Sequence, residues 1–293
     1  MVVALIEAQE IRGTMRCHTC DTEIPTGRSD CPTCYTPAGQ PAVLPDVRTY
    51  SVRGLGLAAG GAVAVALLAD AALLLLWPLA GARLIRSTQS SVDGDPIEAL
   101  AVESRLDAVE GLLSLVQLGT RLAAIALVIV WFYRARANLD AFAGSVPELR
   151  TGWAIGGWFV PFANLVIPFR VMADIARASL FRNSTPRLVW VWWLPFLVYY
   201  WGGQAVYRYD LWQYDELPLL LTAKDFATWV EYYEQALVRN LPILAAGVLA
   251  AVVFILLVVR VSRAQHARMA RGTQTGPVMP GMAMPATWPA PQE

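Results

Sequence analysis

Apolar residues along the chain gather into long runs separated by polar stretches. Four runs are uninterrupted, at about 55–79, 112–133, 188–206 and 241–261. Each approaches or exceeds the ~20 residues an α-helix needs to cross ~30 Å of hydrocarbon. A fifth run, Trp153 to Arg170, is equally apolar but carries Gly156 and Gly157 together, Pro161, Asn164 and Pro168. Proline removes a backbone donor and clashes with the preceding turn, so no smooth spanning helix is expected there. Broken backbone at membrane depth survives only where protein or a water-lined cavity covers it. The pattern predicts an all-α integral membrane protein with four transmembrane helices. A broken segment at 153–170, re-entrant or interfacial, is expected to sit among them.

The polar stretches carry their own helix signals. Within the acidic stretch from Arg83 to Glu110, Asp95 is placed to cap a helix, Pro96 to take its first position and Glu98 to close a capping box. This helix is expected to run into the second span and end near Asn138 to Phe142. A second start is expected at Thr222 to Asp225, with Phe226, Trp229, Val230, Tyr233 and Leu237 at helical spacing behind it. The two extensions are expected to pack on each other, because amphipathic helices are marginal in water without a partner. Val171 to Arg182 places Arg170, Asp174 and Arg177 on one face and Met172, Ile175 and Ala176 on another, the pattern of an interfacial helix.

Composition supports the membrane class. Of 293 residues, 56% are apolar and only 16% are charged, against about 25% charged in soluble domains. The formal net charge is zero, which makes no case for nucleic acid. Charge distribution bears on threading. Arg134, Arg136, Arg150, Arg170, Arg177, Arg182 and Arg187 crowd the middle stretch, and Arg260, Arg263, Arg268 and Arg271 follow the last run. The positive-inside tendency places both groups, and so both termini, on the cytoplasmic side of the cell membrane if four segments cross. A fifth crossing at 153–170 would instead place the basic tail outside.

All four cysteines fall in one module at 15–36, as Cys17-x-x-Cys20 and Cys31-x-x-Cys34. Paired knuckles of this kind present four thiolates to one tetrahedral zinc ion; two disulfides, or a degenerate ribbon without metal, are the alternatives. A closed four-thiolate site has no open position for substrate, so its role is structural. Residues 37–53 form a Pro-containing linker, 54–271 the multi-pass domain, and 272–293 a Pro-, Met- and Ala-rich tail expected to be disordered. Residues 1–14 are expected to be a non-structural extension.

Asp70 and Arg121 are the two charges deep inside uninterrupted runs, Arg260 lying at the very end of the last one. At ~1.5 Å rise per residue, both lie roughly 14 Å below the outer ends of their runs, level with each other on antiparallel helices. Such a pair is a structural lock or part of an ion or proton path. The only histidines, His18 and His266, lie outside the runs, and no nucleophile–base motif is present, so no enzyme is expected. The reading that follows is a non-enzymatic interaction or regulatory protein whose ribbon meets a cytoplasmic protein partner. The alternative is a small transporter or conduit built on the broken segment with Asp70 and Arg121.

Trp131-Phe132-Tyr133-Arg134 with Asn138, Trp153, the string Trp158-Phe159-Val160-Pro161 continuing to Asn164, Leu165 and Pro168, and the Arg-rich end of the last run with Gln265 carry a resemblance. Together they resemble a bacterial, mostly actinobacterial, membrane family catalogued as domain of unknown function 4328. The resemblance covers about 55–268 and implies a membrane part often preceded by a short Cys-x-x-Cys module. It implies no activity, so it assigns no role to any residue.

Overall fold

The structure is a computed structural model that describes residues 15–89, 96–218 and 223–272. The expected extension at 1–14, the capping residue Asp95, Thr222 and the tail beyond Gly272 lie outside the described residues.

The cysteine module opens with a two-stranded antiparallel ribbon, β1 (Met15–Arg16) against β2 (Glu23–Ile24), with Met15 opposite Ile24. The rest is helical. The first rod is α1 (Arg53–Ala71), a π turn (Ala72–Leu76) and α2 (Trp77–Gln89). The second is α3, described over Pro96–Asp140 and ending where expected. Two short helices follow, α4 (Trp153–Phe159) and α5 (Ile167–Ser179). The third rod is α6 (Arg187–Leu197), a π turn (Val198–Gly202) and α7 (Gly203–Asp215). The last rod, α8 (Ala223–Gly272), joins the second extension to the last apolar run without a break.

Three helical stretches, Arg53–Ser87, Ser104–Asp140 and Lys224–Gly272, are long and apolar enough to cross a membrane. The rod at 187–215 is not among them; its many Trp and Tyr rings carry N–H and O–H groups that lower mean hydropathy. Leu57, Leu68, Leu112, Leu115, Leu122, Leu249 and Val252 are all exposed on these rods. Apolar surface of that extent marks contact with lipid or protein rather than water.

α8 is the centre of the bundle. Half of its most apolar window is buried, against 6% for the window of α3. It packs against α1, α2, α5, α6 and α7, and α1 also packs along α3. The core lies between them: Trp131, Phe132, Leu139, Met172, Ile175, Trp192, Phe254, Leu257 and Val258. Gly56 makes the α1–α8 approach possible. A Cβ there would meet Ser262 Oγ at 2.7 Å and Val258 Cγ1 at 2.9 Å.

Proline inside the first rod is accommodated rather than terminal. The run was expected to end near Leu79, yet the helix continues through Pro78 to Gln89. Pro78 has no N–H for the carbonyl four residues back. That carbonyl, Leu74 O, instead accepts from Asn240 Nδ2 of α8 at 3.3 Å.

This continuation changes the pairing at the far end. The extensions starting at Pro96 and Ala223 were expected to pack on each other. They meet through Leu106 of α3, and α2 joins them: Trp77, Ala82 and Ile85 share one buried cluster with Leu106, Phe226, Trp229 and Tyr233. The first rod reaches this level because it does not stop at Pro78. The side chains of Ile97, Leu100 and Ala101 lie outside the described residues.

α5 also differs from its sequence pattern. Val171, Met172, Ala173, Asp174, Ile175 and Ala176 are all buried, so the helix is embedded between α3, α4, α6 and α8 rather than lying with one face free. Asp174 is inside because it accepts from the backbone N–H of Glu148 (3.0 Å) and Leu149 (3.2 Å) and from Arg177.

The far-end pairing is open to test. Arg86 of α2 is bonded to Glu234 of α8. Cysteines placed at these two positions should crosslink readily in the purified protein. Free mobility of the oxidised double variant, with single variants as controls, would contradict the packing of α2 on α8.

Candidate metal centre and buried ion cluster

The cysteine module is built from two nearly equivalent turns. Cys17 N–H donates to Thr22 O and Asp21 N–H to Cys17 O, both at 2.9 Å. Fourteen residues on the pattern repeats: Cys31 N–H donates to Thr36 O at 2.9 Å and Tyr35 N–H to Cys31 O at 3.0 Å. Asp21 and Tyr35, each just after its knuckle, adopt left-handed backbone at φ 62° and 58°. Each knuckle also sets a threonine hydroxyl beside a sulfur, Thr22 Oγ1 at 3.2 Å from Cys20 Sγ and Thr36 Oγ1 at 3.3 Å from Cys34 Sγ.

The four sulfurs lie within 4.8 Å of one another. Cys17 and Cys34 are 3.3 Å apart and Cys20 and Cys31 3.4 Å. Those separations are far longer than a disulfide bond of about 2.05 Å. A tetrahedral ion with metal–sulfur bonds of about 2.3 Å separates its ligands by roughly 3.8 Å, so the cluster fits one metal ion. His18 is exposed and takes no part. Burial pushes the Cys31 and Cys34 thiols up. Burial acts the same way on Cys20, but hydrogen bonds, those of Thr22 foremost, bring it down to about 7.

The module is docked on the helices rather than tethered. Phe181 packs on the cysteine cluster, and Asn183 Nδ2 donates to the Tyr35 hydroxyl at 2.7 Å. Arg271 at the end of α8 donates to Thr19 O, inside the first knuckle. Gly144 (φ 78°) lies where a Cβ would come within 2.8 Å of Tyr35 O. The segment 37–53 is held too. Leu44 N–H donates to Ala141 O at 2.8 Å, Val43 bridges Phe142, Tyr50 N–H donates to Asn138 Oδ1 at 2.7 Å, and Asn138 Nδ2 donates to Tyr50 O at 2.9 Å.

Asp70 and Arg121 come together in the interior of the rods. Arg121 Nε lies 2.9 Å and Nη2 2.8 Å from Asp70 Oδ1, and Gln117 Nε2 donates to the same oxygen at 2.9 Å. The other carboxylate oxygen accepts from the Tyr199 hydroxyl, which in turn lies 3.3 Å from Arg121 Nη2. Asp70 is buried, whereas the Arg121 side chain is 41% exposed. Gly247 seats the Tyr199 ring: a Cβ there would meet it at 2.7 Å.

The broken segment forms a tight reversal between α4 and α5. Gly157 lets them touch, since a Cβ would fall 2.4 Å from Ile167 Cγ2. Pro161 and Phe162 form an exposed tip, with Phe162 left-handed at φ 63°. Asn164 N–H bonds back to Val160 O at 3.1 Å, and Pro168 falls in the first turn of α5. Trp158 packs edge-on against Phe132 at 5.4 Å. Trp158 Nε1 and Asn164 Oδ1 are buried without a hydrogen-bond partner among the described residues.

The family model for a domain of unknown function, DUF4328, matches residues 95–263, more than half of the chain. The chain belongs to this family. No curated protein and no solved structure matches it. The DUF4328 match is narrower than 55–268: it leaves out the cysteine module, α1, α2 and the end of α8. The Asp70–Arg121 pair therefore joins a helix outside the DUF4328 match to one inside it, and the docked module is held by residues on both sides of its limits.

Sequence reasoning found the cysteines and the Asp70–Arg121 pair but missed Tyr199 and the docking residues. Tyr199 lies in a stretch so rich in aromatics that no single hydroxyl stands out. The docking residues had a signal. Ser262, Gln265, Arg268 and Arg271 recur every three residues past the last apolar run, a polar stripe on one helix face.

Two outcomes are expected. Purified protein should hold one metal ion per chain by elemental analysis, and a quadruple Cys→Ser variant none. Occupancy should fall as pH falls, because the raised thiols of Cys31 and Cys34 must lose protons to bind. Separately, Asp70→Ala should destabilise the protein by about 2 kcal/mol, less than the 3–5 of a fully buried pair because Arg121 is part-exposed. Asp70→Asn should cost less. Additive effects of Asp70→Ala and Arg121→Ala in a double-mutant cycle would show that the pair is not coupled.

Proposed function

We propose that this protein is a non-enzymatic, four-pass protein of the cell membrane that presents a zinc-loaded ribbon, with both termini cytoplasmic, as a regulatory or scaffolding surface. The observation that carries the reading is the docking of the cysteine module onto the helix ends. A structural metal site closed to substrate is fixed against the membrane domain by Arg271, Asn183 and Phe181. In that position it presents to a protein partner a surface made jointly by the module and the helix ends. Zinc is the natural occupant because four thiolates in tetrahedral array suit it, and a reducing cytosol keeps them free.

The threading has three supports. The rod 187–215 packs along α8 for its whole length, as a fourth crossing would. The hairpin α4–α5 returns to its starting level: Leu149 is bonded to Arg136, Arg177 to Glu148, and Asn183 to the cysteine module. Its tip reaches Trp193, whose Nε1 donates to Leu165 O, six residues into α6 and so only about 9 Å deep. The basic residues also collect at this end, as the positive-inside tendency requires of a cytoplasmic face. The segment 153–170 is then a shallow re-entrant hairpin whose apolar tip, Phe159 to Phe162, lies in lipid.

A conduit remains the second reading, favoured by the unpartnered Trp158 Nε1 and Asn164 Oδ1 in the broken segment. Against it, Asp70 is saturated by Gln117, Arg121 and Tyr199 and makes a lock rather than a free relay. Ion or proton flux in proteoliposomes that is abolished by Asp70→Asn would favour the conduit.

Threading is tested with single cysteines at Gly152, Ser184 and Gly272, probed with an impermeant maleimide. All three should stay unlabelled in intact cells and react once the cells are opened. Labelling of Ser184 and Gly272 in intact cells would mean that the segment crosses.

A further inference from the structure

Arg268 is the least expected charge in the structure. It is 4% exposed, and among the described residues no carboxylate lies within ion-pair distance. Its Nε donates to Ala42 O at 2.9 Å and its Nη2 to Ala143 O at 2.7 Å. Its guanidinium lies 4.4 Å from the centre of the Phe142 ring and 5.9 Å from that of Phe181. The acidic groups that line the same cavity, Asp174 and Glu148, both bind Arg177. Carbonyls and ring faces are weak compensation for a buried cation. What faces Arg268 instead is the cysteine cluster. Arg268 and Cys34 line one cavity of about 300 Å³, and Phe181 packs against both the guanidinium and the cluster. One helical turn on, Arg271 donates to Thr19 O between Cys17 and Cys20.

Four thiolates around one divalent ion carry a net charge of about −2. We propose that Arg268 and Arg271 are the counter-charges of the loaded centre, so that metal binding and docking of the module on the end of α8 are one coupled event. The inference rests on the metal assignment made above and goes further, naming the residues outside the module that set its affinity. Without metal, Arg268 is left in a dry site that offers it carbonyls and ring faces but, among the described residues, no carboxylate or other fixed anion. Loading the ion forces all four sulfurs to thiolates and supplies that anion. The cysteine module and the last helix thus hold each other, and loss of the metal loosens both the module and the segment 37–53, which carries Ala42.

Full-length protein in lipid nanodiscs is the material for the test, with zinc as the probe. In competition against a chromophoric chelator, Arg268→Gln combined with Arg271→Gln should bind zinc about 10–100-fold more weakly, the usual loss when partners of metal ligands are removed. Arg268→Lys should recover most of that loss. Hydrogen exchange in the wild type should show 37–53 protected with zinc, exposed after chelation and protected again when zinc returns, with 241–261 unchanged throughout. If Arg268→Gln fails to fold, Arg271→Gln alone should still weaken zinc several-fold. Wild-type zinc affinity in a folded double variant, or in Arg271→Gln, would overturn the proposal, as would protection of 37–53 that ignores chelation. Failure of the wild type to bind zinc at all would instead overturn the metal assignment together with it.

Discussion

Asn138 and Gln265 are both fully buried, and Nδ2 of the first donates to Oε1 of the second at 2.9 Å. The bundle closes around this bond. Asn138 also pairs with both backbone groups of Tyr50, and Gln265 Nε2 donates to Ala135 O and to Ser179 Oγ, each at 3.0 Å. One amide pair thereby joins the segment before α1, the end of α3, the end of α5 and the last turns of α8. Buried amides must find all their partners or cost several kcal/mol. The arrangement therefore permits one register for four elements, which apolar packing alone does not enforce. Trp131 extends the same layer, donating to Ser262 Oγ at 3.0 Å.

The same demand for partners explains how the first rod passes Pro78. A helix that loses a backbone bond in an apolar setting needs another donor for the freed carbonyl. Asn240 serves Leu74 O beside Pro78, and this tie lets the first rod continue to the far end, where α2 covers Trp229 and Tyr233. The Asp70 cluster works alike at mid-rod, with Gln117, Arg121 and Tyr199 drawn from two other rods onto one carboxylate. Polar side chains are few in this bundle, and Asn138, Gln265, Asn240 and Asp70 are used where helices must be fixed in register.

The cysteine end is a composite of pieces distant in sequence. Residues 15–50 contribute the module and its strap, 134–149 the floor, 174–183 one wall, and the last turns of α8 the other. It is also the most basic end of the molecule. Arg268 lies at its centre, held between carbonyl oxygens and aromatic rings.

The sequence by itself determined what a short window can hold. Two Cys-x-x-Cys knuckles specify their own turns, so the four sulfurs converge as their spacing implies. Long apolar runs specify helices, and Pro161 with Asn164 specifies a reversal. Asp70 and Arg121 could be set level because helical rise is constant. Tertiary structure decided everything that depended on a partner from elsewhere in the chain. Whether Pro78 ends a helix depended on Asn240, 162 residues later, so α2 and its burial of Trp229 were not legible locally. Asp174 looked exposed until the backbone of Glu148 and Leu149 came to it. The stretch 37–53 looked like a free tether because its anchors, Asn138, Ala141 and Arg268, lie on other elements. Local sequence encodes backbone preference and periodicity, whereas the satisfaction of a buried polar group is a property of the assembled bundle.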